Sequence, residues 1–343
     1  MKDTIIRTYD GERKRAEMRA QYRRRRQRIN CSFLIGGLLV LGLTLTVFKV
    51  QGIYAQSGKM GVMTGQIGGW EYGDCEAVIE AYNSVRHMSS IAVIKIEKPR
   101  RRTLAEALAR LEELGEIDPV IAQIYANSAS YPENMLTALA NNPEMAYFVA
   151  GYMDKHKDGA GGLTYAEKEQ EFPLFLQWDS RWGYEPYGRE NNVGLAGCGP
   201  TCMSMVLYYL TGDETLTPDK IAAYSLENGY FVEGTGTAWA LMEDIPPLYG
   251  IRVTEASASE SAMKAELDRG HIMICAMAPG DFTAEGHFIV IYGYDQDGFM
   301  VNDPNCVARS GRRWTFDELR GQMKKIWSYG RTNVSSKGIY SIW

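Results

Sequence analysis

The feature that most constrains the fold is a cysteine at the predicted start of a helix, within the Gly-Cys-Gly-Pro motif of residues 197–200. From Cys198 onward the residues are mostly apolar helix formers, until Thr211-Gly212 ends the pattern. Pro200 suits a first turn, because its missing N–H would have no intrahelical partner there. Unpaired N–H groups and the positive end of the helix dipole favour thiolate over thiol. The segment therefore predicts a cysteine nucleophile.

A nucleophilic thiol needs a base, and the base needs a third group that fixes its tautomer and orientation. His287 begins an apolar predicted strand, and Asp303 ends the next one after a hairpin. Cys198, His287 and Asp303 are therefore the candidate catalytic residues, with Asn302 and Asn305 as alternatives for the third group. Each of the three also has a non-catalytic interpretation. Cys198 could be a buried thiol, His287 a core histidine, and Asp303 part of an Asx-turn.

The hairpin between the base and the acid imposes a geometric condition. With a plain two-residue turn, His287 and Asp303 would lie on opposite faces of the hairpin. They share a face if the connection has three residues or contains a bulge, and Gly293 and Gly298 allow either. We therefore expect an irregularity in this hairpin.

An oxyanion formed at Cys198 needs hydrogen-bond donors. The backbone N–H of Cys198 is one, and the side-chain amide of Gln177, upstream in the chain, fits the second, although an ordinary loop amide is the alternative interpretation. The four histidines show no short spacing typical of a zinc site, so we expect neither a metal nor a cofactor.

The order of the predicted elements indicates an α+β domain, in which a helix bears the nucleophile and an antiparallel sheet bears the histidine and the acid. The predicted helices follow the capping residues Thr217, Thr237, Ser259 and Thr315, the last helix reaching about Ile326. The predicted strands of this domain are residues 272–277, 287–294, 299–302 and 338–342.

Four motifs together resemble the peptidase C39-like family of papain-like cysteine peptidases. In this chain they are residues 177–179 (Gln-Trp-Asp), 197–200, 286–288 (Gly-His-Phe) and 302–304 (Asn-Asp-Pro). The resemblance covers about residues 172–330. It implies Cys198 as the nucleophile, His287 as general base and acid, Asp303 as the orienting group and Gln177 as an oxyanion donor. Family members on exporters remove double-glycine leader peptides in the cytoplasm, whereas this chain shows no nucleotide-binding cassette.

The N-terminal part predicts a membrane anchor. No residue from Ile29 to Phe48 is charged. A helix formed by this segment is about long enough to cross a bilayer. Residues 1–28 carry eleven Lys or Arg and four Asp or Glu, a net charge of +7, whereas the whole chain carries −5. The positive-inside rule then places the N-terminus in the cytoplasm and the C-terminal domain outside the cell. Because this topology explains the basic residues, we expect no nucleic-acid partner. The alternative to an uncleaved membrane anchor is a signal peptide that is cleaved near Ala55.

The sequence divides into five predicted parts. They are a basic cytoplasmic tail (1–28), a transmembrane helix (29–50), a linker with short elements (51–99), a small helical module (100–157) and the C39-like domain (165–343). In the linker, residues 91–96 predict a short strand. In the module, Thr103 caps an amphipathic helix, and no catalytic constellation is visible. The odd number of exported cysteines, without regular spacing, excludes a disulfide scaffold.

We therefore expect a membrane-anchored, outward-facing cysteine peptidase-like hydrolase that acts on a peptide or protein substrate. A catalytically silent surface binding module with the same fold is the first alternative. The second is a cell-wall amidase or an acyl transferase that uses the same three residues. The sequence does not determine the oligomeric state.

Overall fold

The computed structural model describes residues 94–153 and 162–332, which belong to one compact unit. The predicted tail, transmembrane helix (29–50) and final strand (338–342) lie outside these residues. Within the two described ranges, no helix is both long and apolar enough to cross a bilayer. The boundary predicted between the module and the C39-like domain also falls largely outside them, at residues 154–161.

The helical module consists of four short helices. They are α1 (Leu104–Gly115), α2 (Pro119–Ala126), α3 (Glu133–Asn141) and α4 (Ala146–Ala150), with a 3-10 turn at Pro143–Met145. The predicted cap is confirmed, because Thr103 and Glu106 form a reciprocal capping box at the start of α1. The apolar sides of the helices form a core of their own. The strand predicted at 91–96 is wrong in its described part, since residues 94–96 form no strand.

Eight further helices follow in the second described range. They are α5 (Tyr165–Lys168), α6 (Val193–Ala196), α7 (Cys198–Thr211), α8 (Pro218–Glu227), α9 (Leu241–Asp244), α10 (Glu260–Asp268), α11 (Val307–Ser310) and α12 (Phe316–Arg320). The predicted bounds of the nucleophile helix are confirmed, because α7 begins at Cys198 and ends where Gly212 adopts a left-handed conformation, φ 77°.

The strands form a two-stranded hairpin and a six-stranded antiparallel sheet. In chain order they are β1 (Phe231–Val232), β2 (Gly236–Thr237), β3 (Ile251–Glu255), β4 (Ile272–Met277), β5 (His287–Asp295), β6 (Gly298–Asn302), β7 (Arg313–Trp314) and β8 (Met323–Arg331). The strand order in the large sheet is β3-β8-β4-β5-β6-β7. The expected α+β class, with the nucleophile helix preceding an antiparallel sheet, is confirmed.

The central strands are covered on both faces. On one face, Met203, Val206 and Leu207 of α7 share a core with Ile274 of β4 and Val290 of β5. The alternate residues of the same strands share a second core with the side chains of α10 and α12. Because α7 is buried around most of its circumference, its position and therefore that of Cys198 are fixed by the sheet.

Two local predictions are wrong. Thr237 caps no helix, because it lies in β2 and its hydroxyl hydrogen-bonds the Tyr187 hydroxyl at 2.8 Å. The helix that Thr315 opens ends at Arg320, with Gly321 as its C-cap, and does not reach Ile326. The chain after Gly321 instead forms β8, which pairs with both β3 and β4. This pairing is between segments distant in sequence, and it overrides the local preference for helix.

The helical module packs directly on the second part of the chain. The Phe148 ring stacks on Tyr184 with centroids 4.6 Å apart, and the Tyr184 hydroxyl donates to the Phe148 carbonyl oxygen at 2.7 Å. Trp178 and Tyr184 are both packed against the core of the module. These aromatic side chains therefore lie in the contact between the helical module and the second part of the chain, and not on an exposed surface.

Candidate active site

Cys198 is the first residue of α7, and it is half-buried. No side chain of the described residues caps this helix, so its first N–H groups face the site without a side-chain acceptor. The flanking glycines are required by close approaches. A Cβ at Gly199 would lie 2.7 Å from the Thr237 side chain, and one at Gly197 would lie 2.5 Å from the Val193 carbonyl oxygen.

His287 is the first residue of β5 and is buried. Its Nε2 lies 2.7 Å from Oδ1 of Asp303. The Cys198 sulfur is close enough to interact with the same imidazole. Because Nε2 is engaged by the carboxylate, Nδ1 is the ring nitrogen left for the sulfur. The structure therefore brings together the three residues that the sequence analysis selected.

The irregularity expected in the β5–β6 hairpin is present. Asp295 pairs with Gly298 at the turn, but the register shifts between Ile291 and Gly293, so that Tyr292 is an extra residue in β5. Beyond the shift, Val290 pairs with Asn302. Continuing this register places Ile289 opposite Asp303. His287, two residues before Ile289, then shares a face with the carboxylate.

Asp303 is fully buried and accepts hydrogen bonds at both carboxylate oxygens. Oδ1 receives His287 Nε2 and the Asn305 N–H at 2.8 Å, and Oδ2 receives a guanidinium N–H of Arg309 at 3.2 Å. Burial alone would raise the pKa of this carboxyl. The charges of His287 and Arg309 and the Asn305 N–H outweigh burial and hold the pKa of Asp303 below its ordinary value.

The same contacts determine the charge of His287. Burial lowers the pKa of the imidazole, but the Asp303 carboxylate and the Cys198 sulfur raise it more, to about 10. The imidazole is therefore protonated at neutral pH whenever its two partners carry negative charge. An imidazole that can give and take a proton beside a cysteine sulfur is the arrangement that a cysteine–histidine site needs.

Gln177 is buried and connects the two halves of the site. Its backbone N–H donates to the Pro304 carbonyl oxygen at 2.7 Å, next to Asp303. Its Nε2 donates to the Gly194 carbonyl oxygen at 2.8 Å, in the short helix α6 that leads into Cys198. An amide nitrogen carries two protons, so a second N–H remains for another acceptor. Within the described residues, Gln177 Oε1 has no hydrogen-bond partner.

The alternative orienting residues have other partners. The Asn302 side chain donates to the Pro173 carbonyl oxygen at 2.7 Å, and Asn305 reaches Asp303 only through its backbone N–H. Arg309 was missed by the sequence analysis. The signal needs the burial of Asp303, which only the structure shows: an ionised carboxylate in a protein interior needs charged or polar partners, and Arg309 follows six residues later.

The other cysteines in the described residues are inert by comparison. Cys202, Cys275 and Cys306 are free thiols that are completely buried. Burial raises the pKa of each of them well above the ordinary value for a thiol. Among the described cysteines, Cys198 alone is partly exposed.

A cysteine at the start of a helix that packs across an antiparallel sheet, with a histidine and an acid on that sheet, defines the papain-like class of fold. Residues 169–334, just under half of the chain, match the model of the Peptidase_C39 like family. The resemblance inferred from the four sequence motifs is therefore confirmed.

Two solved structures are similar to parts of the chain. One is the peptidase domain of Streptococcus ComA, a bifunctional ABC transporter involved in a quorum-sensing pathway, with 15% identity and a TM-score of 0.31 over 40% of this chain and 93% of that one. The other is a C39-like peptidase from Bacillus anthracis, with 16% identity and a TM-score of 0.30 over 50% of this chain and 99% of that one. No curated protein matches the chain.

Proposed function

We propose that this protein is a cysteine peptidase-like hydrolase that cleaves peptide or amide bonds. The observation that carries the proposal is the contact of His287 with both Cys198 and Asp303. The match of residues 169–334 to the model of the Peptidase_C39 like family supports the same class of reaction. The substrate is a peptide or a protein.

In the proposed reaction, the Cys198 thiolate attacks the carbonyl carbon of the scissile bond. The oxyanion accepts hydrogen bonds from the Cys198 N–H and from the second N–H of Gln177 Nε2. The His287 imidazolium gives its Nδ1 proton to the leaving amine, which departs and leaves a thioester on Cys198. His287 then takes a proton from water, the resulting hydroxide attacks the thioester, and the carboxylic acid product leaves with the thiolate restored. Asp303 keeps the ring oriented throughout.

We also propose that the hydrolase is anchored in the cell membrane with its C-terminal domain outside the cell. This proposal is supported by the uncharged residues 29–48 and by the basic residues 1–28 that precede them. Protease added to intact cells is expected to digest the C-terminal domain. A protected C-terminal domain would contradict the outward orientation.

Selective alkylation tests the catalytic proposal without knowledge of the substrate. The full-length chain is treated with iodoacetamide at mildly acidic pH, and the label on each cysteine is followed by peptide mass spectrometry. Cys198 is expected to react first, because among the described cysteines it alone is partly exposed and it lies beside the His287 imidazole, which can act as its base. Cys202 and Cys306 serve as internal controls, and His287→Ala is expected to abolish the selectivity. Uniform, slow labelling in the wild-type chain would contradict the enzyme proposal and favour the silent binding module.

A further inference from the structure

The carboxylate of Asp303 lies between two cationic groups, one on each oxygen. Oδ1 faces His287, and Oδ2 faces Arg309, whose side chain is itself buried. A carboxylate held only at Oδ1 could rotate about its bond to Cβ. The second contact at 3.2 Å removes that freedom and aims Oδ1 at the imidazole.

Arg309 belongs to α11, and α11 is held in place by the helical module. Glu144, at the end of the module, accepts the N–H of Val307 at 2.7 Å and the N–H of Ala308 at 2.9 Å. A carboxylate at this position satisfies the first N–H groups of the helix and complements its dipole. The Asn142 side chain donates to the Asn305 carbonyl oxygen. The segment that carries both Asp303 and Arg309 is thus fixed from the module side.

The guanidinium of Arg309 also donates to the carbonyl oxygen of Glu97, in the segment just before the module, at 3.4 Å. Burying a second cation beside the His287 imidazolium is unfavourable unless it is closely paired. Arg309 therefore does more than fill space, because an apolar side chain of similar volume would avoid this cost.

We propose that Arg309 is a positioning residue of this site, which fixes the rotation and the ionisation of Asp303, and that Glu144 of the helical module holds Arg309 in place. The proposal rests on the proposed function, because it concerns the same site. It assigns the helical module a role in the reactivity of Cys198 that acts through α11.

The expected pH dependence follows from the groups around Asp303. The titratable or charged groups that interact with it are His287, Arg309 and the thiols of Cys202 and Cys306. Only His287 and Arg309 are cationic and stabilise the ionised carboxylate. Without Arg309, Asp303 takes up a proton at a higher pH, and His287 then loses its partner. The pH at which the site fails on acidification should rise by about one unit.

The test is the pH profile of iodoacetamide alkylation at Cys198, measured in the full-length wild-type chain, in Arg309→Gln and in Arg309→Lys. In Arg309→Gln the acid midpoint should move upward by about one unit. Arg309→Lys retains the positive charge and should restore most of the shift. An Arg309→Gln profile with the wild-type midpoint, accompanied only by lower thermal stability, would overturn the proposal.

A second pair of variants keeps the test decisive if Arg309→Gln does not fold. Glu144→Ala removes the contact with α11 but leaves Arg309 intact, and the rate at Cys198 should fall several-fold. Glu133→Ala, a second module variant that loses one negative charge, should keep the wild-type rate. Equal rates in these two variants would overturn the inference alone. A wild-type Cys198 no faster than the buried thiols at any pH would instead overturn the proposed function itself.

Discussion

The two ends of the candidate site differ in how fully their polar groups are satisfied. At the nucleophile end, Cys198 is half-buried and its helix has no side-chain cap among the described residues. At the acid end, Asp303 is fully buried and accepts hydrogen bonds from His287, Asn305 and Arg309. Donors are thus left free where charge develops during the proposed reaction, whereas the group that only has to hold its orientation is saturated.

The largest effect is expected when His287, the residue that contacts both ends of the site, is removed. In His287→Ala, Cys198 loses its base and the acid end loses its contact with the sulfur. Cleavage of a peptide substrate should fall by about 10³-fold or more, as expected when one member of a catalytic unit is removed. A fall of less than tenfold in kcat/KM would mean that the two ends do not act together.

The second largest effect is expected on stability, at the acid end, where the Asp303 carboxylate is fully hydrogen-bonded. Asp303→Ala leaves Arg309 buried without its carboxylate, which should lower the free energy of unfolding by about 3–5 kcal/mol. Urea denaturation followed by tryptophan fluorescence measures this change. Cys198→Ala is the matched control at the open end and should change stability by much less. Equal destabilisation in the two variants would remove the contrast.

Acid titration sharpens the same contrast, because the pKa of Asp303 is lower in the folded protein than its ordinary value. Such a group stabilises the fold above its unfolded pKa, about 3.9, and this contribution is lost as pH falls through the folded value. The wild-type chain should therefore lose more free energy of unfolding than Asp303→Asn on acidification from about pH 5 to pH 2. Parallel curves for the two proteins would contradict this account of the acid end.

Two glycines beside the site allow a matched test of packing at its open end. A Cβ at Gly199 would lie 2.7 Å from the Thr237 side chain, whereas one at Gly286 has no neighbour within 4 Å. Gly199→Ala should cost about 1–3 kcal/mol of stability through overpacking, and Gly286→Ala should be close to neutral. Thermal unfolding of the two variants distinguishes these outcomes, and a reversed order would show that the start of α7 is loosely packed.

The smallest expected effect lies at the contact between the module and the rest of the fold. Tyr184→Phe removes the hydrogen bond to the Phe148 carbonyl oxygen and keeps the stacked ring. The loss of stability should be about 1 kcal/mol, with unchanged alkylation of Cys198. A changed alkylation rate would mean that the whole interface, and not only the segment around Glu144, influences the site.

The parts of the fold that could be predicted are those with local signals. The glycines and Pro200 identify the start of α7, and the apolar run after His287 identifies β5. The bulge was predictable because His287 and Asp303 have to share a face. The site residues were likewise selected from helix and strand ends, although their catalytic roles stay a proposal.

The parts that could not be predicted depend on long-range contacts. β8 contains Lys324 and Lys325, and its two pairing partners are distant in sequence. The contact of Glu144 with Val307 spans 163 residues, and neither residue carries a local sign of it. Arg309 became recognisable only once the burial of Asp303 was known.

The extra residue in β5 determines whether His287 and Asp303 lie on the same face of the hairpin. Because side chains alternate between the faces of a strand, an odd change in the number of paired residues between His287 and Asp303 turns the two residues away from each other. Deleting Tyr292 alone should therefore uncouple the histidine from its acid, although no atom of the site is touched. The paired part of this hairpin can therefore lengthen or shorten only by two residues at once while the site stays assembled.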